Sequence, residues 1–206
     1  MGKCLFMRKG ETHTIPGSRL PFGYTELVYI ESNGAPCINT EVVPNQDTKV
    51  VMDFTVTSTA ATGWLFCGRT TSSSAAFGVY AYQSTGKFYA AYGADKYTFS
   101  LTVRDAIQRC VFDKNVVTID SESYSFAEQS FEASTTLYLL ARNTAGTLAS
   151  YAYAKLYACQ IYDNGTLVRD FVPCVDPAGN VGLYDLVTQA FFGNAGTGTF
   201  IGSEVA

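Results

Sequence analysis

Few residues in this 206-residue chain have the types and spacing to do chemistry. Asp120-Ser121-Glu122 is one such arrangement: two carboxylates two positions apart at the end of a predicted strand. Retaining glycoside hydrolysis needs a pair of carboxyl groups about 5–5.5 Å apart, which positions i and i+2 of a strand approach. The bland reading, a solvated strand end, is the expected one. His13 is the sole histidine, so any Ser-His-Asp or Cys-His centre would have to recruit it from the N-terminal segment. Gly193-Asn194-Ala195-Gly196-Thr197-Gly198 lacks the strand–GxGxxG–helix setting of a phosphate cradle and reads as a glycine-rich turn. The six cysteines (Cys4, Cys37, Cys67, Cys110, Cys159, Cys174) show no CxxC or CxH spacing, and no Asp-x-Asp-x-Asp-Gly loop is present. The expectation is no catalytic residue, no metal and no cofactor.

What remains is aromatic. In Phe77-Gly78-Val79-Tyr80-Ala81-Tyr82, Tyr80 and Tyr82 share one face of a strand; across the Ser84-Thr85-Gly86 turn come Phe88, Tyr89 and Tyr92, with Tyr89 opposite in parity to the other two. Tyrosines so placed either pair across strands within the sheet or, exposed, stack on a sugar ring or anchor a protein interface. Tyr80, Tyr82, Tyr89 and Tyr92 are therefore the candidate ligand-binding residues, and Trp64 is assigned to the core.

The elements that must position these residues are strands. Residues 48–56 alternate, with Val50, Met52, Phe54 and Val56 on one side and Lys49, Asp53 and Thr55 with Val51 on the other. Similar segments recur at 26–31, 37–43, 64–68, 76–82, 88–92, 107–113, 116–120, 137–141, 156–163 and 167–172, rich in Val, Tyr, Phe and Thr and separated by turn residues. A helical turn is read at 125–131. Asn164-Gly165 predicts a type I′ hairpin pairing Ile161 with Val168 and Tyr162 with Leu167. Charged residues make up 16% and hydrophobic ones 47%, against about 25% charged in an ordinary domain. Disorder is excluded, and a net charge of −4 with a pI near 4.9 argues against nucleic acid. No apolar run approaches the roughly 18 residues that span a bilayer, so no membrane partner is expected. Short strands at this spacing predict an all-β sandwich or barrel.

The first twenty residues contain no apolar segment of signal-peptide length, and most of the cysteines are expected to be free thiols. The chain is read as an N-terminal arm (1–19), held by its own domain or by a neighbour, followed by a sandwich (20–206).

Three stretches carry a resemblance: Leu20-Pro21-Phe22-Gly23-Tyr24-Thr25-Glu26-Leu27-Val28-Tyr29-Ile30-Glu31-Ser32-Asn33-Gly34; Lys155 to Gly165 with Arg169-Asp170-Phe171-Val172-Pro173-Cys174 and Gly182-Leu183-Tyr184-Asp185; and Phe192 to Gly198. Together they resemble the concanavalin A-like (laminin G-like) domains of gut bacteria and their tailed phages, over residues 20–202. The resemblance implies an all-β, concanavalin A-like jelly-roll sandwich of two antiparallel sheets, in a broad class of glycan-binding or adhesive proteins, and it does not imply catalysis. The segment Cys4 to Thr14 is similar to leaders on phage-encoded proteins of this type, which implies anchoring through Leu5, Phe6, Met7 and Arg8 to other virion proteins or to copies of the chain. The resulting expectation is a lectin-like virion surface protein, a capsid decoration or fibre-associated component, adhering to surface glycans. The alternatives are a carbohydrate-binding or adhesion module at a bacterial cell surface and, further off, a β-glucan hydrolase. Laminarinase-type hydrolases carry a Glu-x-Asp-x-x-Glu or Glu-x-Asp-x-Glu run; Thr118 and Tyr124 leave that run incomplete around Asp120 and Glu122.

Overall fold

The computed structural model describes residues 19–71 and 74–205, and within them the chain forms nineteen strands, numbered in chain order, and no helix. The larger sheet runs β11 (Glu122–Ser125), β10 (Val116–Ile119), β9 (Gln108–Asp113), β4 (Thr48–Ser58), β15 (Tyr153–Asp163), β16 (Thr166–Val175), β17 (Val181–Asp185), β18 (Ala190–Phe192). Beside that path, β2 (Ile30–Asn33) pairs with β15 and with β19 (Ile201–Gly202), and β1 (Thr25–Glu26) pairs with β16. The smaller sheet runs β14 (Thr147–Ala149), β13 (Arg142–Thr144), β5 (Gly63–Arg69), β6 (Ala76–Ala81), β7 (Lys87–Gly93), β8 (Asp95–Thr102), and β12 (Tyr138–Leu139) joins β5 to β3 (Ile38–Asn39). All pairings of these strands are antiparallel except β13 with β5.

The two-residue period explains the layering. On β4, Val50, Met52 and Phe54 are wholly buried between the sheets, while Lys49 and Asp53 turn outward to ion-pair with Asp113 and Arg109 of the neighbouring β9. Rings lock the layers together. Phe77 of the smaller sheet stacks on Phe112 of the larger with centroids 4.4 Å apart, and Phe54 meets Phe88 edge-on at 5.8 Å. The result is an all-β jelly-roll sandwich with its main core between the sheets and two smaller clusters, around Leu20 and Tyr184 and around Trp64 and Cys67.

Several local expectations are corrected. Residues 125–131 form no helical turn: Ser125 ends β11, and Phe126 is drawn into the core, its amide donating to the Asn115 carbonyl. Segment 37–43 shrinks to β3, since Glu41 takes a left-handed φ of 62°, and segment 137–141 shrinks to β12, since Leu140 does the same at 65°. The Asn164-Gly165 turn has both residues at positive φ and pairs Tyr162 with Leu167, but a bulge then sets Ile161 opposite Arg169 instead of Val168. Cys37, Cys67, Cys110, Cys159 and Cys174 are buried free thiols. Leu5, Phe6, Met7, Arg8, Cys4 and His13 lie outside the described residues.

Candidate functional site

Strand register decides which side chains share the outer face of the smaller sheet, because residues opposite one another project to the same side. Trp64 lies opposite Tyr80, and Tyr80 opposite Tyr89; Tyr151 bridges to Trp64 from the other flank. The next outward row is Cys67, Gly78 and Ala91, and the one beyond it Arg69, Ala76 and Gly93. A bulge between Trp64 and Phe66 makes this possible: Leu65 and Phe66 both enter the core, so Trp64 and Cys67 both point out. The middle row is small because the indole covers it. A Cβ on Gly78 would come within 2.9 Å of Trp64 Cζ3 and 2.4 Å of the Phe66 carbonyl oxygen, so no larger residue fits.

On this floor the rings form a column. Trp64 and Tyr80 lie 4.3 Å apart, Tyr80 and Tyr89 are 5.0 Å apart with planes only 14° from parallel, and Tyr82 closes on Tyr89 at 5.4 Å. At the opposite end the Arg69 guanidinium sits 5.5 Å from the Trp64 ring. The ring faces are largely taken up by one another, so the column presents edges and hydroxyls to solvent. Tyr82, 38% exposed, is its open end. Burial, then the neighbouring Tyr89 and Tyr82, push the Tyr80 phenol above its ordinary value.

Of the four sequence-derived candidates, the structure brings together Tyr80, Tyr82 and Tyr89. Tyr92 is taken out of any surface site: three residues beyond Tyr89, it faces the core, packs edge-on against Phe131 at 5.0 Å and donates its hydroxyl to the Gln46 carbonyl. Trp64 is buried, as a core residue would be, but on the outer face beneath Tyr80 and Arg69.

The carboxylate pair is part-exposed, but its oxygens are engaged. Asp120 accepts from the Arg109 amide at 2.9 Å, from Gln108 Nε2 at 3.1 Å and from Arg104. Burial raises its pKa, and these donors outweigh burial to hold it below the ordinary value. Glu122 accepts from the Ser100 amide, the Ser100 hydroxyl, the Leu101 amide and the Tyr97 hydroxyl. Those hydrogen bonds, the Ser100 amide first, lower its pKa. Glu122 thereby clasps β11, the edge of the larger sheet, to β8, the edge of the smaller.

Sequence reasoning missed two arginines. Arg69 ends β5, and its Nε donates to Thr144 Oγ1 at 2.7 Å. Since Thr144 lies opposite Arg69, Arg142 two residues earlier on β13 shares that outward face. The available signal was a lone charge at the end of each apolar stretch, Leu65 to Gly68 and Leu137 to Ala141. Among the described residues, no group of three or more His, Cys, Asp or Glu side chains converges on a point that could hold a metal ion.

Other surfaces have a different character. The outer face of the larger sheet is laced with pairs: Lys49 with Asp113 at 2.8 Å, Arg109 with Asp53 at 2.9 Å, Gln160 with Asp170 at 3.1 Å. A cavity of about 500 Å³ lies among Val181, Phe191, Thr199 and Phe200. Its asparagines are engaged in bracing turns, Asn180 with Asp176 and Asn194 with the Gly198 carbonyl and the Cys37 and Gly196 amides.

No family model matches the chain, and no curated protein matches it. Solved structures that resemble it include the CBM40 of the Ruminococcus gnavus IT-sialidase bound to α2,3 sialyllactose, at 18% identity and a TM-score of 0.49 over 71% of this chain and 92% of that one. The same module without a named ligand gives 18% and 0.48 over 71% and 92%. The module bound to α2,6 sialyllactose gives 17% and 0.46 over 71% and 93%.

Proposed function

We propose that this chain is a non-catalytic glycan-binding module, that its ligand face is the outer surface of the smaller sheet, and that it serves adhesion from the surface of a phage particle. The observation that carries the binding reading is the aromatic column of Trp64, Tyr80, Tyr89 and Tyr82 on that face. Rigid, amphipathic rings with hydroxyl tips are what sugar recognition uses, since they offer apolar edges and hydrogen bonds together at little entropic cost. The opposite sheet closes its outer face with ion pairs and leaves little for a ligand to complete. The non-catalytic reading is supported by Asp120 and Glu122, whose oxygens are occupied as structural anchors. The setting on a particle is supported by the sequence resemblance alone.

A glycan array with the full chain, followed by titration calorimetry on the hits, tests binding. Tyr82→Ala and Tyr89→Ala should each weaken the best ligand about tenfold, the loss expected of an aromatic anchor, without lowering the melting temperature appreciably for the exposed Tyr82. Binding that survives both substitutions would move the site elsewhere; absence of any glycan binding would end the reading. For the setting, electron microscopy of undecorated particles mixed with the chain should show added density, lost when residues 1–18 are deleted.

A further inference from the structure

The same face holds two cations that ring stacking leaves unexplained, and their role as part of a ligand site rests on the glycan-binding reading. Six arginines fall among the described residues. Four of them have a carboxylate partner: Arg19 with Glu26, Arg104 with Asp120, Arg109 with Asp53, and Arg169 with Glu41 and Asp185. The remaining two are neighbours on the outer face of the smaller sheet. Arg69 is only 7% exposed, yet among the described residues no carboxylate lies within ion-pair distance of it or of Arg142. The Nε of Arg142 is buried with no hydrogen-bond partner at all.

Both facts carry an energetic cost. A guanidinium withdrawn from water needs a counter-charge and partners for its N–H groups, and an orphaned buried donor forfeits its hydration outright. Burial above all lowers the Arg69 pKa, and the like charge of Arg142 adds to the effect. The chain has carboxylates to spare, 18 against 14 basic residues, and among the described residues places none here. Two unmatched forks side by side, one held by Thr144 and braced on Trp64, form a preorganised receptor for a planar or tetrahedral oxyanion.

We propose that Arg69 and Arg142 receive the acidic group of the bound glycan, a carboxylate or a sulfate ester, so that the module selects acidic over neutral sugars. The acid sits at the Arg69 end of the column, and the rest of the saccharide extends along the edges of Tyr80, Tyr89 and Tyr82.

The test is calorimetric titration of the full chain with one disaccharide in three forms: neutral, terminated by a uronic acid, and sulfated. The acidic forms should bind at least tenfold more tightly than the neutral one, and the carboxylate and sulfate arms identify which acid is accepted. Arg142→Gln should remove about ten- to hundredfold of that affinity, the effect of losing one charge-assisted contact, and leave neutral binding unchanged. The Nε–Hε signal of Arg142 should shift on titration with the acidic forms and not with the neutral one, a readout that a folding defect does not mimic. Equal binding of all three forms, or full acidic affinity in Arg142→Gln, overturns this inference while glycan binding stands. Failure of every glycan, neutral ones included, overturns both together.

Discussion

Replacing Glu122 with glutamine removes a charge from the clasp between the two sheet edges with almost no change of shape. Glu122 accepts from the Ser100 amide at 2.9 Å, the Leu101 amide at 2.9 Å, the Ser100 hydroxyl at 2.7 Å and the Tyr97 hydroxyl at 3.3 Å. Donors face both oxygens, so whichever way the glutamine amide is turned, its NH₂ opposes a backbone N–H. One or two charge-assisted hydrogen bonds are lost, each worth about 1.5–3 kcal/mol when shielded. The site lies at a solvent-facing edge, which discounts that value, and a net loss of about 1–3 kcal/mol is expected. At about 2–4 °C per kcal/mol for a domain of this size, the melting temperature at pH 7 falls by roughly 3–10 °C. The pH dependence separates this cause from a packing defect. Hydrogen bonding holds the folded Glu122 carboxyl below its ordinary 4.5, so its stabilisation is complete above that value and disappears as the pH falls through the depressed one. Thermal unfolding followed by circular dichroism should show wild type and E122Q converging as the pH is lowered from 7 to about 3. A gap that persists unchanged at low pH, or no gap at pH 7, would refute the clasp.

Three further outcomes are expected. Phe77→Ala empties the contact with Phe112 at 4.4 Å in the middle of the sandwich and should cost about 3–5 kcal/mol in urea unfolding; a cost below about 1 would contradict inter-sheet stacking there. Gly165→Ala meets no atom within 4 Å but forces alanine to a φ of 80°, so about 1 kcal/mol should be lost through the backbone alone. Burial pushes the Cys37 thiol up to about 11 and those of Cys67 and Cys174 up to about 12, so a thiol reagent at pH 8 should label these three only after unfolding; fast labelling of the native protein would show that they are not buried.

What was legible in the sequence is what depends on local period. The alternation at 48–56 is β4, and Asn164-Gly165 is a turn, because both are set by neighbours in the chain. The bulge that shifts Ile161 onto Arg169 is set across strands, and nothing in residues 161–169 announces it. The same limit made β3 and β12 read too long, at 37–43 and 137–141: each is two residues, paired only because each finds the other and, for β12, β5. Asp120 and Glu122 show the converse. Their spacing resembled a chemical pair or a frayed end, and only the arrival of Ser100 and Leu101 on β8, and of Arg104, makes them anchors.

The face around Trp64 was half legible for a physical reason. Parity put Tyr80 with Tyr82 and set Tyr89 apart from Phe88 and Tyr92, as the regular β6 and β7 have it, but which of these faces coincide is set by the cross-strand register. Trp64, assigned to the core, is indeed buried, but the bulge at Leu65 turns it to the outer face, which local period does not show. Arg69 and Arg142 come from strands far apart in the chain and meet only through the β13–β5 pairing. That pairing sets two cations together without an acid among the described residues, while Arg169, similarly withdrawn from solvent, is given the Thr40 carbonyl, Glu41 and Asp185. A sheet face shaped for stability alone would have treated Arg69 as Arg169 is treated. Local departures of this kind from an otherwise satisfied structure collect where a protein meets something else, and here the departure lies at the end of the aromatic column.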